Sequence, residues 1–168
     1  MSRSGFFGLV AMLALLSTSV GASETVEYLA LVDGGKLAGR QTVVHGDDGV
    51  TRVDFIFKDN GRGPELKEEY VLAADGTFAT YSVKGTSTFG APVDEQFRIE
   101  NGMAVWKSTS DAGELPLQEG AAYSPLGGSP QGLSVALSAL SRRSDGKLPL
   151  IPSGTLTMRQ VAEVEVVK

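Results

Sequence analysis

Residues 55 to 66 read "FIFKDNGRGPEL", and how this stretch is taken decides the fold. Upstream, Val53, Phe55 and Phe57 alternate with Asp54 and Lys58, as a half-buried strand does. Downstream, "ELKEEYVLAA" reads as a second strand and not as a helix. The join holds Asn60, Gly61, Arg62, Gly63 and Pro64. Two functions fit that composition. Glycines flanking an arginine can present N–H groups and a guanidinium to an anion, and Asn-Gly followed by Gly-Pro is also what a tight hairpin connection needs. A phosphate cradle gains its strength from opening a helix, so a strand after the loop favours the turn.

The same signal recurs on both sides. "DGG" at 33 to 35, "HGDDG" at 45 to 49, "DG" at 75 to 76 and "NG" at 101 to 102 separate runs rich in Val, Tyr, Phe and Thr. Asp-Gly and Asn-Gly favour tight hairpins because they tolerate positive φ. The expected fold is therefore mainly β: a curved, half-barrel-like antiparallel meander. Val93, Phe97 and Ile99 oppose Asp94, Gln96, Arg98 and Glu100, so one face is core and the other wet. "KGTSTFGAPVDE" from Lys84 reads as a bulge or bend in a long strand. "TVEYLALV" from Thr25 is apolar on both faces and calls for a cover on its second side.

One helix, over about residues 130 to 143, is expected to supply that cover. Ser129 is a natural N-cap and Pro130 suits the first turn. Leu133, Ala136, Leu137 and Leu140 follow the i, i+3, i+4, i+7 pattern of a buried face, and Gly146 marks the stop. A last strand is expected from Thr155 to Val167.

At the front, Arg3, an apolar run from Phe6 to Leu16 and the small residues Val20, Gly21 and Ala22 read as a secretory signal peptide over residues 1 to 22. The apolar run is too short to span a bilayer, so no membrane span is expected after cleavage. Residues 23 to 168 then form a single domain. The chain has no cysteine, which suits a bacterial periplasm or secretion without disulfides. The formal net charge is −5 and the basic residues form no stripe, which argues against nucleic acid as a partner.

Catalytic candidates are few. His45 is the sole histidine, sits in a turn, and has no cysteine partner for a zinc site. Glu68-Glu69 and Asp94-Glu95 are carboxylate pairs, but strand neighbours point to opposite faces, so each pair is expected to be solvated charge. There is no Gly-x-Ser-x-Gly elbow. Trp106 is expected to be core or sheet cover. No catalytic, cofactor or metal residue is assigned.

Five ordered blocks carry a resemblance: "FIFKDNGRGPELKEE", "GTSTFGAPVDEQF", "AVWKSTS", "YSPLGGSPQGL" and "LPLIPSGTLTMRQV". From about Tyr28 to the C-terminus they resemble the region that precedes the catalytic barrel in secreted bacterial amidohydrolase-family proteins related to imidazolonepropionases. The resemblance implies a non-catalytic accessory or interaction domain of such a protein, whose metal-dependent barrel, a partner in cis in the relatives, is not in this sequence. It also implies that Asn60, Arg62 and Gly63 form a loop that touches that barrel. The rival expectation is a stand-alone periplasmic β protein that binds an apolar ligand in the manner of lipoprotein carriers.

Overall fold

The structure, a computed structural model, describes residues 23 to 162. The signal-peptide reading for residues 1 to 22 lies outside them. Eight strands follow one another as an antiparallel meander: β1 (Glu24–Val32), β2 (Lys36–His45), β3 (Thr51–Phe57), β4 (Glu65–Leu72), β5 (Phe78–Thr86), β6 (Pro92–Glu100), β7 (Met103–Lys107) and β8 (Ala112–Pro116). They form one sheet in sequence order, left open with β1 and β8 at its edges. Such an order is what two- to seven-residue turns between amphipathic strands dictate, since each strand pairs with the one before it. A small second sheet, in the order β11 (Thr155–Thr157), β10 (Lys147–Ile151) and β9 (Ala122–Tyr123), and a helix α1 (Pro130–Ser141) lie against the inner face.

The period-2 pattern sets that face. Val43, Val53, Leu66, Tyr70, Tyr81, Val83, Phe97 and Ala104 point inward and are buried. Tyr123 from β9 stacks on Phe97, with ring centroids 4.3 Å apart and planes 7° from parallel. Tyr70, Phe78 and Tyr81 extend the aromatic layer at 5.1 and 5.0 Å. Rings at these distances fill the space under the helix with dense apolar matter.

Five details differ from the sequence-based expectation. The segment from Gly85 to Pro92 is a chain reversal between β5 and β6, closed by Ser87 N–H to Ala91 O at 2.8 Å, so two strands stand where one bent strand was expected. The helix stops at Ser141, with Arg142 as its C-cap. Its buried residues are Gly132, Val135, Ala139 and Leu140, whereas Leu133 is 60% and Leu137 47% exposed. The buried face is therefore the stripe of Val135, Ala139 and Leu140, and Leu133 and Leu137 lie on the flank. The strand expected to run from Thr155 to Val167 ends at Thr157; residues 158 to 162 are not in a strand, and the rest lies outside the described residues.

The fifth difference concerns β1, which no described residue covers on its second side: Leu29 is 66%, Leu31 60% and Tyr28 53% exposed. The helix lies elsewhere because Gln131 in its first turn accepts from Gln41 Nε2 on β2 and donates to Tyr70 OH on β4. Arg142 at its other end donates to Asp75 O in the β4–β5 turn. The helix is thus held over the middle of the sheet, leaving the edge strand in solvent.

Candidate functional site

The turn at Asp59–Arg62 is a two-residue hairpin connection. Asp59 N–H donates to Arg62 O at 2.8 Å and Arg62 N–H to Asp59 O at 3.0 Å. Asn60 and Gly61 both take positive φ, 50° and 74°, the pair that a type I′ turn requires. Gly63, at φ 152°, passes so close to β3 that a Cβ there would stand 1.9 Å from Phe57 O. Only glycine fits. Lys58 is held by Gly63 O at 2.8 Å and Glu65 at 2.9 Å. The Arg62 side chain is exposed and makes no hydrogen bond or ion pair among the described residues. Asn60 and Arg62 therefore project from one end of the sheet, and Gly63 shapes the return of the chain.

His45 is exposed, with Nδ1 3.0 Å from Thr51 Oγ1. Trp106 is half-buried, lies across Gly113 on the neighbouring strand, and donates from Nε1 to Asp111 at 2.9 Å. Among the described residues no group of three or more His, Asp or Glu side chains is placed to hold a metal ion. No helix among them is long and apolar enough to cross a membrane.

The carboxylates overturn one expectation. Glu69 and Asp94 are exposed, but Glu68 and Glu95 are buried, 1% and 2% exposed. Neighbours within each pair diverge, yet the cross-strand register Glu68–Val83–Glu95 sets one member of each on the same inward row, two strands apart. The signal was present in the sequence. Glu68 is in phase with Leu66 and Tyr70, and Glu95 with Val93 and Phe97.

Both carboxylates grip a single loop, residues 124 to 129. Glu95 accepts from Tyr123 OH at 2.6 Å, from Leu126 N–H at 3.0 Å and from Gly127 N–H at 3.1 Å. Glu68 accepts from Ser129 N–H and from Ser129 Oγ at 3.0 Å. Ser129 Oγ in turn accepts from Gln131 N–H at 3.2 Å and so caps the helix. Sheet carboxylates thus anchor the loop, and the loop starts the helix. Tyr81 OH lies buried beside them without a hydrogen-bond partner among the described residues, and a Cβ on Gly128 would come within 2.8 Å of it. Burial, then the charges of Glu68 and Glu95, push the Tyr81 phenol far above its ordinary value. Tyr123 is raised by burial and by its bond to Glu95. Each of the four carboxylate oxygens accepts from the loop or from Tyr123, so the arrangement fastens the loop to the sheet.

Burial raises the Glu68 carboxyl above its ordinary range, with the Ser129 donors opposing the shift. Between the ordinary and the raised value the folded protein binds more protons than the unfolded chain, so this group's contribution to stability falls as pH rises through that window. Glu95, Tyr81 and Tyr70 are the titratable groups that face Glu68. We therefore expect the stability of Glu68→Gln relative to wild type to increase as pH rises above the ordinary glutamate value in urea titrations. Parallel pH curves for the two proteins would contradict this.

Comparison with protein-family models, with curated proteins and with solved structures returns no match.

Proposed function

We propose that this chain is an exported, non-catalytic interaction module of an amidohydrolase-like protein, working by contact with a metal-dependent catalytic barrel in the periplasm or outside the cell. One observation carries the reading. The exposed apolar residues Leu29, Leu31 and Leu37 gather at the end of the sheet that holds the Asn60–Pro64 turn, where Ala38 O accepts from Lys58 N–H. Along the same margin, β1 offers nine residues whose outer edge has no partner strand among the described residues. A long apolar edge left in water invites another chain to pair with it.

The resemblance supports the same reading. Glu68, Glu95 and Ser129 come from three of its five blocks and meet in one clasp, so those blocks describe a single folded unit. The aromatic filling of the inner face weighs against the apolar-ligand carrier. The groove beside the helix, lined by Leu126, Leu133, Leu150 and Leu156, has about 270 Å³, below the usual span of ligand pockets.

The test is a binding measurement by calorimetry between this protein and a separately expressed amidohydrolase barrel from the same genome. Leu29→Lys with Leu31→Lys places charges on the edge without touching the core, and at least a tenfold loss of affinity is expected. Binding that is indifferent to both changes would remove β1 from the contact, and no binding by wild type would sink the reading.

A further inference from the structure

The turns β3–β4 and β5–β6 stand side by side at one end of the sheet, because β4 and β5 pair with Glu65 opposite Thr86. Between them lies a cleft of about 510 Å³ lined by Lys58, Arg62, Thr86, Ser87, Thr88 and Phe89, with glycine backbone on its floor. We propose that this cleft binds an acidic peptide segment of a partner protein, its carboxylate on Arg62 and a neighbouring apolar side chain on Phe89. The inference deepens the contact reading by naming the chemistry of the partner.

Two side chains in the cleft do nothing for the fold. The β3–β4 turn needs Asn60 and Gly61 for their positive φ and uses only the backbone of Arg62. The β5–β6 turn needs Gly90, at φ 82°, and leaves Phe89 85% exposed. A guanidinium without a partner and a phenyl ring in water are the two groups that most often anchor an interface once they are buried. Both line a cleft in which no carboxylate is among the described lining residues, on a protein whose net charge is −5. A local cationic site on an acidic surface attracts an anion while the remaining surface repels it, which favours one orientation of approach.

The anion is a carboxylate for reasons of number and shape. Lys58 is already held by Glu65 and Gly63 O, so a single planar fork remains, and that fork matches one carboxylate bidentately. Clustered phosphates call for several free cations. The hydroxyls of Thr86, Ser87 and Thr88 line the same wall and make no side-chain hydrogen bond among the described residues, so they are available as further donors. Gly61 and Gly90 have open space where a Cβ would stand, so a peptide backbone can approach closely.

The experiment is an NMR titration of the nitrogen-labelled protein with acetyl-Glu-Leu-Glu-amide, beside acetyl-Gln-Leu-Gln-amide and inorganic phosphate. We expect saturable shifts at the Gly61, Gly63, Thr88 and Gly90 amides and at Arg62 Nε with the acidic peptide alone. Arg62→Ala should weaken the binding at least tenfold, Arg62→Lys less, and Phe89→Ser several-fold, with the remaining resonances unmoved because neither side chain supports the fold. Equal shifts from the glutamine peptide or from phosphate would overturn the proposal, as would no shift at these amides. The contact reading is separable: a barrel that binds Arg62→Ala as well as wild type rejects the cleft alone, whereas peptide binding without barrel binding rejects the amidohydrolase partner alone.

Discussion

Glu95→Ala is expected to destabilise the protein by about 3–5 kcal/mol and to free the loop of residues 124 to 129 from the sheet. The substitution removes the acceptor for Tyr123 OH, Leu126 N–H and Gly127 N–H together. The buried Tyr123 hydroxyl left unpaired costs roughly 1–3 kcal/mol, and the two part-buried amides add to that. An opposing effect is the relief of desolvating a carboxylate, which can make replacement of a buried charge neutral where apolar groups replace every partner. Here the partners stay behind, two of them backbone groups that no single substitution removes, so the cost prevails. Since domains of this size are stable by only about 5–15 kcal/mol, the variant should melt early and be cut by protease within the loop. Glu95→Gln retains an acceptor oxygen but turns an NH2 group toward N–H donors, and should fall between the two. A urea midpoint for Glu95→Ala that implies a loss below about 1 kcal/mol would show that the clasp does not hold the loop.

Leu140→Ala is expected to cost about 2–5 kcal/mol, the usual penalty for truncating a fully buried leucine. Leu140 is 1% exposed and packs with Ala122, Ala139 and Leu148 between the helix and the small sheet. Leu137→Ala, at a side chain 47% exposed, should cost less than about 1 kcal/mol, since alanine is also the better helix former. The contrast reverses the order that the leucine spacing implies, in which Leu133, Leu137 and Leu140 share the buried face. Equal losses at Leu137 and Leu140 in chemical denaturation would mean that the helix presents its leucine stripe to the core after all.

The two substitutions probe one construction from opposite ends. Glu68 and Glu95 hold the loop, Ser129 in the loop caps the helix, and the helix and small sheet close the core through Leu140 and Leu148. Closure of the core is completed on the inner face, which leaves the β1 edge and the turns at Arg62 and Phe89 in solvent. The proposed partner surface can therefore be altered at Leu31, Arg62 or Phe89 without loosening the clasp.

The sequence by itself determined the meander. Asn-Gly and Asp-Gly pairs favour positive φ wherever they stand, and alternation fixes which face of each strand is apolar, so strands, most turns and the open antiparallel order follow from local chemistry. It also determined that helix α1 begins at Ser129 and Pro130, because a cap needs only its own first turn. Three matters were left to the tertiary structure. The rotation of α1 buries Val135, Ala139 and Leu140 and leaves Leu133 and Leu137 exposed, a choice between two overlapping apolar stripes that a helical period does not decide. The exposure of β1 depends on where Gln41, Tyr70 and Asp75 fasten the helix, through partners 61 to 90 residues away. The clasp needed the register of β4, β5 and β6, since a carboxylate in phase with apolar neighbours is costly alone and becomes stable only when a loop more than 25 residues distant brings donors to it.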